Sequence, residues 1–251
     1  MISMKEKLLK NQVTFGSWIT LANPAIAEIM AGAGFDWLTV DIEHSAISIH
    51  QAQELIRVID LSGCFPFVRV SENNITIIKR VMDAGAKGVI VPMVNSREEA
   101  EAAVAAVKYP PTGRRGVGLA RAQQYGFGFD EYKKWVQEES VVIVQIEHIH
   151  AIENLEAILS VPGVDGSIIG PYDLSGSLGW PGEFGRPEVQ EALLRYEDIC
   201  RHMGKPMGSH LVRPDADMVL QHREKGYSFL AVGVDMLYLG QGCREILAAC
   251  K

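Results

Sequence analysis

Eight times along the chain, a short apolar run rich in β-branched residues gives way to a stretch with apolar positions three or four apart. The runs cover residues 15–21, 37–41, 66–70, 88–92, 141–147, 166–170, 206–210 and 229–232. Because each is a continuous apolar run, they read as strands buried on both faces. Helical spacing occupies 49–62, 75–84, 97–107, 151–159, 187–203 and 215–225 between them. A Gly often closes the helix ahead of the next strand, as in MAGAGFDWLTVD, MDAGAKGVIVPM, VPGVDGSIIGP and REKGYSFLAVGVD. Gly accepts the left-handed capping conformation at little cost. Strands joined through helices predict a parallel sheet covered by helices. An open doubly wound sheet gives a similar pattern, but eight units in 251 residues favour closure into an α/β (β/α)₈ TIM barrel, one domain over 1–251. No GxGxxG follows the first strand, which weighs against a dinucleotide-binding fold.

With 47% hydrophobic and 22% charged residues, the chain has the balance of a globular protein with a large core. Its net charge of -7 argues against a nucleic-acid or anionic-membrane partner, both of which need clustered Lys and Arg. A small-molecule ligand is the expectation. The N-terminal MISMKEKLLKNQ is a short charged helical stretch, and no segment approaches the roughly 20 apolar residues of a membrane span, so a cytoplasmic protein is expected. Cys64, Cys200, Cys243 and Cys250 are scattered without a CxxC pair and read as reduced thiols.

In such a barrel the chemistry belongs at the C-terminal ends of the strands. There stand Asp41, Glu43 and His44, then Arg69, Gln145 and Glu147, Asp173, Ser209 and His210, and Asp235. Lys87 and Lys205 precede their strands and belong to the opposite face, so no lysine is placed for a Schiff base. Gln145 and Glu147, two apart in VVIVQIE, project to one face. Glu147 with Asp173 of GPYDLS forms a pair of hard oxygen ligands suited to Mg²⁺ or Mn²⁺. The alternative is that each carboxylate caps a helix or turn. Arg69 sits in the apolar strand FPFVRV, where a guanidinium needs an anion, either a substrate carboxylate or enolate or the carboxylate of Asp41. His44 is a possible base beside two carboxylates, or a structural histidine. The pair His148 and His150 is set aside as a metal site, because alternation sends His148 away from Glu147's face. The Gly- and Pro-rich stretch 109–128 reads either as an active-site flap or as a surface excursion or subunit contact.

The pieces AGAGFDWLTVDIEH, FVRV, VPMV, KYPPTGRRGVG, VQIE, VDGSIIGPYDLS and FLAVGVD, in this order and over nearly the whole length, resemble the HpcH/HpaI-type metal-dependent aldolases. The resemblance implies a TIM barrel of the phosphoenolpyruvate/pyruvate type, with Glu147 and Asp173 as metal ligands, His44 as general base and Arg69 stabilising an enolate. It also implies substrate binding by Gln145 and the backbone of Tyr172 and Asp173. Asp83 of VMDAGAKG matches an aspartate that raises the basicity of the histidine. Because Asp83 ends a helix on the far side of its own barrel, that role requires a neighbouring subunit, in keeping with a homo-oligomer, commonly a hexamer built as a trimer of dimers. Two departures stand out: Tyr172 replaces a small residue such as Ala, and TLANP lacks a run of serines.

The expected function is a class II aldolase, a carbon–carbon lyase that joins a pyruvate enolate to an aldehyde such as succinic semialdehyde or a hydroxyaldehyde. The expected cofactor is Mg²⁺ or Mn²⁺, with Co²⁺ or Zn²⁺ as alternatives. In this scheme Asp41 or Asp83 orients His44. The rivals are a related lyase or synthase, acting on 2-dehydro-3-deoxy sugar acids or in the manner of citrate synthase, and a non-catalytic 2-oxo-acid-binding protein.

Overall fold

The computed structural model describes residues 2–251. In chain order the elements are α1 (Met4–Leu9), β1 (Thr14–Ile19), α2 (Pro24–Gly32), β2 (Trp37–Asp41), α3 (Ile49–Leu61), β3 (Phe65–Arg69), α4 (Ile75–Ala84), β4 (Gly88–Val91) and α5 (Arg97–Val107). After a 3₁₀ turn (Arg121–Gly126) come α6 (Phe129–Glu138), β5 (Val141–Ile146), α7 (Ile149–Glu153), α8 (Leu155–Leu159), β6 (Gly166–Ile169) and α9 (Pro171–Ser177). The chain ends with α10 (Pro187–Met203), β7 (Met207–Leu211), α11 (Ala216–Glu224), β8 (Tyr227–Val234) and α12 (Asp235–Cys250). All eight strands are parallel and close in sequence order, β8 pairing with β1, which is the (β/α)₈ TIM barrel that the alternation predicts.

The eight strands fall where the apolar runs do. The helix expected over 151–159 is instead two short helices meeting at Asn154, whose backbone leaves helical geometry (φ -100°, ψ 9°). The glycines of the four helix–strand junctions, Gly34, Gly85, Gly163 and Gly226, all have positive φ. Side chains fix the helix starts: Ser48 and Gln51 form a capping box at α3, and Ser96 and Asp215 cap α5 and α11.

Inside the barrel the stack is aromatic. The rings of Trp37 and Phe229 lie parallel at 4.1 Å, and Phe67 meets both edge-on. Gly16 makes room for it, since a Cβ there would lie 2.0 Å from the Trp37 indole. Met4 and Leu8 of α1 join the same cluster and close the end where the strands begin, leaving the other end open. A larger core fills the space between the strands and the outer helices.

The last barrel helix is the exception to this packing. α12 touches β1 and β8, yet every residue from Gln241 onward is exposed, and α11 buries no residue. Among the described residues no helix is long and apolar enough to cross a membrane.

Candidate active site

Asp41 and Arg69 are register partners at the ends of β2 and β3. That adjacency lets Arg69 bind Asp41 through two parallel contacts, Nε to Oδ1 at 3.0 Å and Nη2 to Oδ2 at 2.6 Å. Nε also lies 3.2 Å from Oε2 of Glu43, and the guanidinium carbon sits 4.3 Å from the centre of the Trp18 ring. Salt bridge, second carboxylate and aromatic face together fix the guanidinium at the mouth. Asp41 also accepts the backbone N–H groups of Glu43 and His44 at 3.0 and 3.2 Å, which shapes the turn after β2. The Asp41 carboxylate thus binds Arg69 and the backbone of the turn that carries His44.

Glu147 follows β5 directly and is 4% exposed. Its Oε1 accepts the Met93 backbone N–H at 2.7 Å, and its Oε2 accepts from Nε2 of Gln145. No Lys or Arg lies within ion-pairing distance of it among the described residues. Burial pushes its carboxyl up, against the pull of those two hydrogen bonds, and the Asp173 charge pushes it further. Gly170 is essential to this arrangement, because a Cβ there would stand 2.9 Å from Cβ and 3.1 Å from Oε2 of Glu147. Asp173 occupies the first turn of α9, exposed, with no side-chain cap at that helix start. Neither carboxylate is a helix cap, which removes the alternative that the sequence left open.

The two groups share one electrostatic cluster. Burial raises the Glu43 carboxyl to about 7; Arg69 opposes the rise, while Glu147, Asp41 and Asp173 add to it. Four carboxylates with one nearby guanidinium leave an excess of negative charge that invites a cation. Among the described residues no three His, Cys, Asp or Glu side chains converge as a closed metal site. A cation here would rest on two protein carboxylates and leave its remaining positions to water and substrate, which fits a hard divalent ion. The buried Oε1 of Gln145 has no hydrogen-bond partner among the described residues.

His44 and Tyr172 line an 860 Å³ cleft at the mouth together with Asp41, Arg69 and Trp18. The His44 side chain is 67% exposed, its Nε2 3.8 Å from Glu43 Oε2. His210 is half-buried in the same wall, stacked on Trp18 at 5.1 Å with Nε2 3.1 Å from the Gly233 carbonyl oxygen, and loss of solvation lowers it to about 4. Asp235 accepts from Thr20 and Leu21 backbone N–H groups at 2.9 and 2.8 Å, so it organises the loop after β1. His148 caps α7, its Nδ1 accepting from the His150 N–H at 3.1 Å.

Asp83 is not among these residues. At the C-terminal end of α4, the end of the barrel opposite the mouth, its Oδ1 binds Nη2 of the fully buried Arg115 at 2.5 Å. Arg121 reaches Asp60 at the end of α3 at 2.7 Å. The 109–128 stretch therefore packs on the face away from its own active site. It is a surface excursion, and the reading as a flap over its own barrel mouth is overturned.

Two contributors escape sequence reasoning. Trp18 reads as a core strand residue, and nothing in TFGSWI signals that its ring backs Arg69. The Met93 amide becomes a donor only through a backbone turned to φ 52°.

The sequence model of the family described as HpcH/HpaI aldolase/citrate lyase matches residues 14–240. A 4-hydroxy-2-oxovalerate aldolase of Rhodococcus jostii is 41% identical over 247 residues, 98% of this chain and 95% of that protein. A hydroxypyruvate/pyruvate aldolase of Roseobacter denitrificans is 37% identical over 250 residues, 99% of this chain and 97% of that one. Among solved structures, an HpcH/HpaI aldolase/citrate lyase family protein from Burkholderia cenocepacia superposes with a TM-score of 0.92 at 31% identity, covering 100% of this chain and 99% of that one. The chain is thus an enzyme of the aldolase kind, a carbon–carbon lyase, and it belongs to the HpcH/HpaI aldolase/citrate lyase family.

Proposed function

We propose that the chain is a divalent-metal-dependent aldolase that cleaves or forms 4-hydroxy-2-oxo acids by way of pyruvate enolate. One observation carries the reading: a buried carboxylate without a cationic partner, Glu147, shares a charge cluster with Asp173 and with a guanidinium locked in place at the barrel mouth. Glu147 and Asp173 would hold the ion, Mg²⁺ or Mn²⁺ by the hardness of the donors. Bound there, such an ion supplies Lewis-acid polarisation of the 2-oxo carbonyl.

Arg69 faces the developing enolate oxygen with fixed positive charge, an effect worth roughly 3–4 kcal/mol for a preorganised group. Asp41, Glu43 and Trp18 keep it from reorganising. His44 takes the proton of the 4-hydroxyl, directly or through water. The C3–C4 bond breaks, C4 leaves as an aldehyde, and the electron pair passes into the C2 carbonyl as the enolate. A proton at C3 then gives pyruvate, and addition is the same sequence reversed. Gln145 and the backbone at Tyr172 and Asp173 hold the oxo acid. Asp83 of a second copy would be the one to act on His44, since within one chain Asp83 lies at the end of the barrel opposite the mouth. A homo-oligomer, a hexamer by family resemblance, is part of this proposal. The exposed apolar residues Val117, Leu119, Tyr125 and Phe127 around Asp83, and Leu239 and Ile246 on α12, support it.

The test is cleavage of a 4-hydroxy-2-oxo acid with and without chelator. Glu147→Gln and Asp173→Asn raise the metal concentration needed for half-maximal activity. His44→Ala leaves that concentration unchanged and lowers kcat by roughly 10²-fold or more. Near-normal cleavage by His44→Ala contradicts the base assignment, and indifference to chelator contradicts the metal.

A further inference from the structure

The cleft at the mouth runs from Asp41, His44 and Arg69 across the ends of β6, β7 and β8, past the space the oxo acid needs. Its far half has a distinct chemistry. On one side the rings of Tyr172 and Phe184 meet edge-to-face, centroids 4.8 Å apart at 85°. The segment carrying Phe184 is tied to α9, because Ser175 Oγ accepts the Gly182 N–H at 2.9 Å while donating to the Tyr172 carbonyl oxygen at 2.7 Å. The same cleft is lined by Val212, just past β7, and by Met236 and Leu237 of the first turn of α12.

Several polar side chains along the same stretch have one atom engaged inside the protein. Thr20 Oγ1 donates to Asp235 at 2.7 Å, His210 Nε2 meets the Gly233 carbonyl oxygen at 3.1 Å, and His222 Nδ1 meets the Met218 carbonyl oxygen at 2.8 Å. The lining holds no Asn or Gln, and its one carboxylate, Asp41, is locked to Arg69. Arg213 at the rim can donate but not accept. Ser209 and the phenol of Tyr172 are the remaining hydroxyls. Along the Tyr172, Phe184, Val212, Met236 and Leu237 surfaces a polyhydroxylated chain would trade water for apolar contact at its hydroxyls, which is costly, whereas methylenes would gain by leaving water.

Resting on the aldolase reading above, we infer that this half of the cleft is the acceptor subsite and selects an aldehyde with an apolar tail over a polyhydroxylated one. Tyr172 and Phe184 form one wall of the slot; Val212, Met236 and Leu237 form the other. Each methylene drawn between them raises kcat/KM by up to about fourfold.

The experiment measures kcat/KM for addition of pyruvate to propanal, hexanal and glyceraldehyde, in the wild type and in Phe184→Ala and Leu237→Ala. Thermal unfolding checks that each variant is folded. The proposal expects a rise from propanal to hexanal of roughly tenfold or more, propanal ahead of glyceraldehyde, and a loss of most of the rise in both variants. The comparison within each variant is a ratio, so a general loss of activity does not imitate it. Equal constants for propanal and hexanal, glyceraldehyde ahead of propanal, or a rise that survives in both variants overturns the inference while leaving the aldolase standing. No addition with any aldehyde, together with no solvent exchange at the pyruvate methyl group, removes both.

Discussion

At the scale of single residues, the site is a set of charges whose mutual distances determine their behaviour. Arg69 and Asp41 can be read together in the sequence, as opposite charges near the ends of consecutive strands, because parallel neighbours in a barrel keep a simple register. Trp18 and the Met93 amide cannot, because their roles arise from a ring face and a backbone turn rather than from residue type. His210 gives a stability prediction. Its folded pKa of about 4 lies below the ordinary histidine value of 6.5, so the unfolded chain binds more protons between the two. The neutral ring's contribution is complete above about pH 6.5 and is lost progressively as pH falls towards 4, by up to about 3 kcal/mol. Denaturant unfolding as a function of pH checks this against His210→Gln, whose amide can still donate to the Gly233 carbonyl. The variant is expected to lose stability less steeply than wild type between pH 6.5 and 4; parallel curves would show that His210 does not titrate this way.

At the scale of elements, the strands were legible because fully buried parallel strands leave continuous apolar runs. The break at Asn154 was not, since a short helix pair and one helix share the same apolar spacing. The aromatic stack inside the barrel depends on β1 passing close to Trp37 at Gly16. Gly16→Ala places a methyl within the indole, and overpacking of this kind typically costs about 1–3 kcal/mol. A fall in Tm is expected, with the metal requirement of the remaining folded enzyme unchanged. An unaltered Tm would mean that Trp37 has room to move. Gly170 tests the other end of the barrel: Gly170→Ala crowds Glu147 directly, and the expected result is a higher metal concentration for half-maximal activity with a smaller effect on Tm.

At the scale of the whole molecule, the barrel was legible and the way its last helix is used was not. The helical spacing read from the sequence stops at 225, so α12 carried no expectation, and its residues from Gln241 onward are exposed. The location of the 109–128 excursion was equally hidden, because its anchors Asp60 and Asp83 come from helices far from it in sequence. Both surfaces bear on assembly. Removing residues 243–251 takes away almost nothing buried within one chain, so a monomer would keep its Tm. The proposed homo-oligomer predicts instead a lower mass by light scattering and a lower Tm for the shortened protein, and unchanged values of both would argue against a role for α12 in assembly.

The central claim is that Glu147, Asp173 and Arg69 make a metal-assisted site for the enolate of pyruvate. The most direct measurement is proton-to-deuterium exchange at the pyruvate methyl group in D₂O, followed by NMR with Mg²⁺ and with chelator, because it requires no aldehyde. The account predicts exchange that needs the metal and that falls sharply in Arg69→Met and Glu147→Gln. Exchange that persists in chelator, or an absence of exchange with the metal present, would contradict it.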